Sequence, residues 1–364
     1  MKIPKALKII LYTILGIFIL LLLAVASYFI YLFADYERLD DLLSLQIDVV
    51  GNLTGAVSTD KLYSIITFNI GYGANEDDRD YFMDGGTNSW AKSEEDLKLN
   101  LKGMADDIKN LTTDFIMLQE VDVDGTRSYH FNELEYLEKT LEYGNYAFAQ
   151  NYDSSFLFYP IFEPHGANKA GLVTGTSFNI TDSIRRSLPI ASNFNKFFDL
   201  DRCYSMTHIP VSNGQNLTLF NVHLSAYGGN AEIREKQVKL LSSDMEHEIK
   251  NGNYVICGGD FNHNLRIGNN TGVPEWAQPF PREFLPTNTT FGFEVAKTVD
   301  IEHDSCRNLD MPYKKGETYT VLLDGLIVSS NIEVESYIAE AWEFQRSDHN
   351  PVRMKFKLNK KKKN

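Results

Sequence analysis

Residues 254–262 read YVICGGDFN. A short apolar run ends in two glycines, and an aspartate and an asparagine follow flush against it. Such a run predicts a buried strand. In open α/β sheets the carboxyl ends of strands form the ligand crevice, so the polar residues stand where chemistry is done. Four other stretches repeat the design: Asn69 in ITFNI (66–70), Glu120 in LQEVD (118–122), His223 in NVHL (221–224) and Asp348-His349 in SDHNP (347–351). Asp324 (LLDGL, 322–326) lies inside an apolar strand. A single case would read as a turn residue or a helix cap. Five clusters, each closing an apolar run, read as one site.

Working outward, the pattern alternates between strand and helix. Tyr63–Ile70 and Phe115–Leu118 read as buried strands. Between them Leu97, Leu101, Met104, Ile108 and Leu111 recur at helical spacing, with Ser93 as N-cap. Leu134, Leu137 and Leu141 predict a short second helix. Leu172–Ile180, Tyr204–Val211 and Leu217–His223 read as strands, Ala231–Lys250 as a helix, and Asn262–Glu317 as long and irregular. Tyr319–Ser329, Ile332–Ile338 and Val352–Leu358 close the chain as strands. No Pro/Gly/Ser-rich linker divides residues 61–358, so one mixed α/β domain is expected there.

The N-terminus reads differently. From Ile9 to Phe33 no residue is charged. In helical form these 25 residues exceed the ~30 Å hydrocarbon core. Three lysines precede the run, and Asp35, Glu37, Asp40 and Asp41 follow it. The expected organisation is a cytoplasmic segment 1–8, a transmembrane helix 9–33, a linker 34–60, the domain 61–358 outside the cell, and a basic tail 359–364. Ala24-Val25-Ala26 resembles a signal cleavage site, which makes secretion the alternative, but the apolar run continues beyond it.

The formal net charge of −14 is a composite. Residues 1–34 carry +3 and the last five residues +4, which leaves −21 on 35–359. Such a body does not grip a polyanion over a broad surface, so a phosphate substrate needs local cations or a metal. Three cysteines, Cys203, Cys257 and Cys306, exclude a disulfide scaffold and form no CxxC zinc pair. A Cys203–Cys306 bridge is left open.

Glu120 and Asp348 are hard oxygen donors and Asn69 offers a carbonyl. The set suits Mg²⁺ or Mn²⁺, with Ca²⁺ a further fit, and not zinc. Asp324 is placed to orient His349, and His223 to act as a complementary acid. A metal, a base and an acid are what in-line hydrolysis of a phosphate ester requires. No G-x-S-x-G elbow or Walker loop is present. Arg202 reads equally as a phosphate contact or a structural ion pair, and Arg307 more as a structural ion pair.

These motifs, in this order, resemble the endonuclease/exonuclease/phosphatase superfamily across residues 60–358. The resemblance implies a four-layer α/β sandwich, two packed mixed β-sheets flanked by helices. It implies a metal site at Asn69 and Glu120 with Asp348 contributing, Asp260 positioning or deprotonating the attacking water, and Asn262 orienting phosphate. It also implies an Asp324–His349 acid–base dyad, and His223 near the leaving group. The acidic partner that some relatives place behind the His223 equivalent is not located in the sequence. Leu323-Asp324-Gly325 departs from the Cys-Asp-Arg of inositol polyphosphate 5-phosphatases and from the Trp-Arg-x-Asp-Tyr of abasic-site endonucleases. The expected protein is a monomeric, membrane-anchored phosphoesterase. A lipid head group or small molecule is the preferred substrate, DNA or RNA the alternative, and an inactive binding module the remaining reading.

Overall fold

The computed structural model describes residues 4–197, 199–226, 231–266 and 274–360. The chain divides into two units, one ending at Arg38 and one beginning at Leu39. The first is built on helix α1 (Lys5–Asp35), which is long and apolar enough to cross a membrane.

The second unit begins with two short strands, β1 (Leu43–Ser44) and β2 (Ile47–Val49). Then follow β3 (Tyr63–Asn69), α2 (Glu94–Leu111), β4 (Phe115–Gly125), α3 (Glu133–Leu141), β5 (Asn145–Asp153), β6 (Asn168–Thr176) and β7 (Asp182–Ser187). The chain continues through β8 (Cys203–Pro210), β9 (Asn216–His223), α4 (Ala231–Lys250) and β10 (Tyr254–Asp260). After an irregular stretch come β11 (Thr289–Phe291), the single turn α5 (Gly292–Val295), β12 (Thr298–Asp300), β13 (Cys306–Arg307) and β14 (Thr320–Val321). The last strands are β15 (Asp324–Ser329), β16 (Ile332–Ala339) and β17 (Val352–Leu358). Ser93 caps α2, its side chain accepting from the Asp96 N–H.

The strands form a seven-stranded sheet, β1-β7-β8-β9-β10-β15-β11, and an eight-stranded sheet, β12-β16-β17-β3-β4-β6-β5-β2. Each mixes parallel and antiparallel pairs. Alternation along β3 and β4 sorts their residues into two layers. Ile65, Phe115 and Met117 pack with Leu219, Ile256 and Leu326 of the seven-stranded sheet. Ile66, Phe68, Ile116 and Leu118 pack with Leu97, Leu101, Met104 and Ile108 of α2. Val238, Leu241 and Met245 of α4 cover the other side of the seven-stranded sheet, which completes a four-layer α/β sandwich. Polar atoms also cross between the sheets. The Gln119 Nε2 donates to Asn221 Oδ1 at 2.7 Å, and the Asn221 Nδ2 donates to Val173 O at 2.9 Å and Leu118 O at 3.2 Å. The Gln of LQEV and the Asn of NVHL therefore clamp one sheet to the other.

Residues 39–60 do not form the free linker expected from sequence. β1 pairs with β7 of one sheet and β2 with β5 of the other, and Val57 bridges Val211. The backbone N–H groups of Leu45, Val50, Thr54 and Val57 donate to the carbonyls of Ser183, Gly144, Ser177 and Pro210 instead of water. Asp324 opens β15 instead of lying within a strand. All three cysteines are buried and free, so Cys203 and Cys306 are not paired. Lys361, Lys362 and Lys363 of the basic tail lie outside the described residues, while Lys360 pairs with Asp60.

A half-buried ion cluster joins β7 and β8 to the end of α4. His208 contacts Asp182 at 2.6 Å and Glu248 at 3.2 Å. Burial alone would lower the imidazole pKa, but the two carboxylates reverse this and raise it to about 9. Burial would raise Glu248, but hydrogen bonds from His208, Thr218 and Asn253 bring it down to about 2. Because the His208 pKa is raised on folding, its contribution is complete below ~6.5 and is lost as pH climbs through about 9. The Glu248 contribution is complete above ~4.5 and is lost as pH falls towards about 2. Glu248→Gln is expected to cost about 1–3 kcal/mol near pH 6, and less at pH 10, by denaturant titration.

Candidate active site

The register of the seven-stranded sheet sets three site residues level with one another. Asp260, the last residue of β10, stands opposite His223 of β9 and opposite Asp324 of β15. In the facing sheet Asn69 ends β3 beside Gln119, and Glu120 follows inside β4. Glu120 sits in a register break of β4 at φ +55°, and Asn262 turns the chain after β10 at φ +49°. Left-handed backbone at non-glycine residues carries strain of ~1–3 kcal/mol, which surrounding structure must hold. Here it turns both side chains into the site.

The second glycine of GGDFN has a steric reason. Gly259 adopts φ +145°, and a Cβ there would lie 2.0 Å from the Val222 carbonyl oxygen on the paired strand. Gly259→Ala must force β9 and β10 apart. It is expected to lower stability by about 4 kcal/mol, measured by denaturant midpoint.

The side chains converge on one another. His349 Nδ1 donates to Asp324 Oδ2 at 2.7 Å, and its Nε2 lies 3.8 Å from both Asp260 Oδ2 and Asp348 Oδ2. His223 Nε2 is 3.6 Å from Asp260 Oδ2 and 4.0 Å from Glu120 Oε1. Asn69 Nδ2 donates to Glu120 Oε1 at 3.0 Å and to Asp260 Oδ2 at 3.1 Å, while its Oδ1 accepts from the Gly71 N–H. Asn69 thus presents hydrogens to the carboxylates and engages its oxygen elsewhere. The Ser347 hydroxyl donates to Asn69 O, lies 3.1 Å from Asp348 Oδ1 and accepts from the His349 N–H, tying SDHNP to the end of β3. Asn262 donates its N–H to Asp260 Oδ1 and its Nδ2 to Leu224 O. All eight residues singled out from the sequence are brought together: Asn69, Glu120, His223, Asp260, Asn262, Asp324, Asp348 and His349.

Burial and charge set the protonation states. Burial raises the Asp260 carboxyl to about 6, against the pull of His349. Burial would lower His349, but the Asp324 charge reverses this and holds the imidazole well above its ordinary value. Burial and the positive charges of Arg202, His349 and Arg127 keep His223 well below its own. The His223 Nδ1 is buried without a hydrogen-bond partner, so no carboxylate stands behind it among the described residues. Burial and the Asp348 charge raise Glu120, against Arg127.

Among the described residues no lysine or arginine forms an ion pair with Glu120, Asp260 or Asp348. His349 is the cation beside these carboxylates, which leaves a surplus of negative charge, and hard oxygen donors facing one cavity suit a divalent ion. Asp260, Asp324 and His349 also bring one ligating atom each within 4.8 Å of one another. The His349 Nδ1 is already engaged there by Asp324.

The cavity above these groups has a volume of about 400 Å³. Glu120, His223, Asp260, Asn262, Asp348 and His349 line it, with Asn69 and Asp324 beneath. Sequence reasoning missed two further residues. Asn75 donates to Asp348 Oδ1 at 3.2 Å, and Arg127 reaches the cavity wall while paired with Asp122 at 2.7 Å and stacked 3.9 Å over the Tyr72 ring. Of the two arginines weighed from sequence, Arg307 is a structural pin. It donates to Glu76 O at 2.8 Å and Arg79 O at 3.0 Å. Arg202 donates to Leu224 O and pairs with Asp199 at 3.6 Å, so its guanidinium braces the cavity wall.

The sequence model of the endonuclease/exonuclease/phosphatase family matches residues 66–298. The chain belongs to this family. Solved members share the fold. A Beutenbergia cavernae endonuclease/exonuclease/phosphatase is 15% identical at a TM-score of 0.59, over 82% of this chain and 72% of its own. A Bacteroides thetaiotaomicron family protein is 14% identical at 0.54, over 82% and 99%. A mannosyl-6-phosphatase from Bacteroides thetaiotaomicron is 15% identical at 0.52, over 81% and 99%. No curated protein sequence matches the chain. The family comprises metal-dependent phosphoesterases, nucleases and phosphatases. The match ends at residue 298, so Asp324, Asp348 and His349 join the site by the sheet register and hydrogen bonds described above.

Proposed function

We propose that this chain is a divalent-metal-dependent phosphoesterase that cleaves a P–O bond of a phosphodiester with water. It is anchored by α1 with its N-terminus cytoplasmic and its catalytic unit outside the cell. The observation that carries the chemistry is His349, fixed on one side by Asp324 and facing Asp260 on the other. The topology rests on three lysines before the apolar run and acidic residues after it.

Glu120 and Asp348 would hold the Mg²⁺ or Mn²⁺, braced by Asn69 and Asn75. The ion would supply neutralisation of charge on the phosphoryl oxygens. Asp260 takes the proton of the attacking water. With a pKa near about 6 it is ionised at neutral pH and still basic enough to accept. His349, kept charged by Asp324, donates from Nε2 to the phosphoryl group. Asn262 steers a phosphate oxygen with the amide hydrogen not given to Leu224. His223, held neutral, acts as a hydrogen-bonding group near the leaving group.

A lipid or small-molecule substrate is preferred because the body is acidic and the cavity is confined. The full-length protein in detergent should hydrolyse bis-p-nitrophenyl phosphate with Mg²⁺ or Mn²⁺ and stop when chelator is added. Sphingomyelin, inositol phosphates, DNA and RNA tested with the same preparation identify the class. Turnover that weakens steeply with salt would assign a polyanion. Chelator-insensitive turnover, or none on any substrate, defeats the proposal.

A further inference from the structure

The β5–β6 connection carries the stretch FLFYPIF, residues 156–162, without a charged residue. Phe158 is 60% exposed, Tyr159 59%, Ile161 76% and Phe162 102%. Contiguous apolar exposure of this kind marks an interaction surface. The loop is not loosely collapsed. Its base is fixed by the Leu157–Gly166 bridge, by the Ser89 hydroxyl donating to Glu163 O at 2.6 Å, and by the Trp90 indole donating to Pro164 O at 2.7 Å. The structure holds the tip outward.

The topology places this tip at the mouth of the site. β5 ends and β6 begins beside the overrun of β4 past Glu120, where Gly125 pairs with Asn168. Leu157, at the root of the tip, lines the cavity. Met83, 52% exposed, lines the same cavity. The chain also enters the catalytic unit at this end. Leu39 O accepts from the Ser187 hydroxyl, and Asp40 O accepts from Arg185. Ser187 pairs with Cys203, directly after the cavity-lining Arg202. Three residues separate the end of the apolar helix α1 at Asp35 from Leu39.

We infer that residues 156–162 are a bilayer-docking surface, which seats the mouth of the site on the membrane and selects a lipid-borne phosphoester. The inference rests on the phosphoesterase reading for its substrate and on the exposed tip for its docking. The tip has no charge and the body is strongly acidic, so the occupant is a zwitterionic phospholipid surface entered by apolar insertion, not an anionic one held by charge.

The test uses the full-length chain reconstituted in phosphatidylcholine vesicles. Emission added by Phe162→Trp, over the background of Trp90, Trp276 and Trp342, should be quenched by brominated phosphatidylcholine. In parallel, turnover is compared for methyl p-nitrophenyl phosphate in solution and hexadecyl p-nitrophenyl phosphate in the bilayer. The wild type should favour the embedded ester by about tenfold or more through local concentration and placement. I161S/F162S should lose that preference while holding soluble turnover within about twofold, as a surface change should. Absence of quenching, or a preference unchanged in I161S/F162S, overturns the inference. So does self-association in detergent that I161S/F162S abolishes, which would give the surface to a second copy. Quenching without metal-dependent turnover of either ester would support docking and defeat the phosphoesterase reading alone.

Discussion

His349→Ala is expected to lower phosphodiester turnover by about 10³-fold or more, with the fold intact. The geometry requires this size of effect. His349 is buried, its Nδ1 is held by Asp324 at 2.7 Å, and its Nε2 is the imidazole atom facing Asp260 and the cavity. Among the described residues no other charged donor of the cavity wall is placed to replace it, because Arg307 is held by backbone carbonyls, Arg127 by Asp122, and Arg202 by Leu224 O and Asp199. Asp324→Asn keeps the shape but withdraws the charge that holds the imidazole protonated, so a loss of about 10²–10⁴-fold is expected. Because the two act as a unit, the double variant should be little worse than either alone. Asp324 Oδ1 is buried without a partner, but Oδ2 holds the charged His349 at 2.7 Å, so Asp324→Asn is expected also to lower stability by breaking a buried pair. A kinetic collapse measured well below the unfolding midpoint of each variant separates loss of chemistry from loss of fold. Wild-type turnover in either single variant would remove the dyad from the mechanism.

What the sequence disclosed and what it hid follow from where side chains are satisfied. β3, β9 and β10 are apolar runs and were legible. β5 (NYAFAQNYD) and β7 (DSIRRS) were not, because they carry polar side chains several of which are buried and paired. Arg185 donates to Gln150 O at 2.7 Å and Ser187 Oγ at 2.6 Å, and Asn145 donates to Phe178 O at 2.6 Å. Residues 39–60 looked like a linker because their partners are the edges of two distant sheets, which no local pattern encodes. The eight site residues were legible because each closes or opens an apolar strand. Asn75 and Arg127 were not, since they reach the cavity from turns beyond β3 and β4 through tertiary contacts. The protonation state of His223 was equally hidden. It depends on burial, on three positive neighbours and on an Nδ1 left without a partner among the described residues, which only the assembled site reveals.

Glu120→Gln is expected to abolish the response to divalent metal while leaving the metal-free protein at least as stable as wild type. In the wild type, saturating Mg²⁺ or Mn²⁺ should raise the unfolding midpoint. At 100 times Kd the linkage is about 2.7 kcal/mol, equivalent to a shift of about 5 °C. The response depends on Glu120 because it and Asp348 face the cavity without a lysine or arginine partner. Glutamine keeps an oxygen and the volume but removes the charge, so affinity should fall by about 10²-fold or more, as loss of even an outer partner of a metal ligand often does. The opposite effect on the metal-free state follows from the same charges. Burial and Asp348 both disfavour ionised Glu120, so neutralising it relieves the repulsion that the metal would otherwise offset. Asn69 can still bridge, since its Nδ2 donates equally to a glutamine oxygen. Asp348→Asn should give the same pair of changes, more weakly, because Asn75 and Ser347 already engage one of its oxygens. A full metal shift in both variants would move the ion to Asp260, Asp324 and His349, which lie close enough to share one. In that case a metal titration of Asp324→Asn would lose the shift instead, and His349 would be a ligand and not an acid.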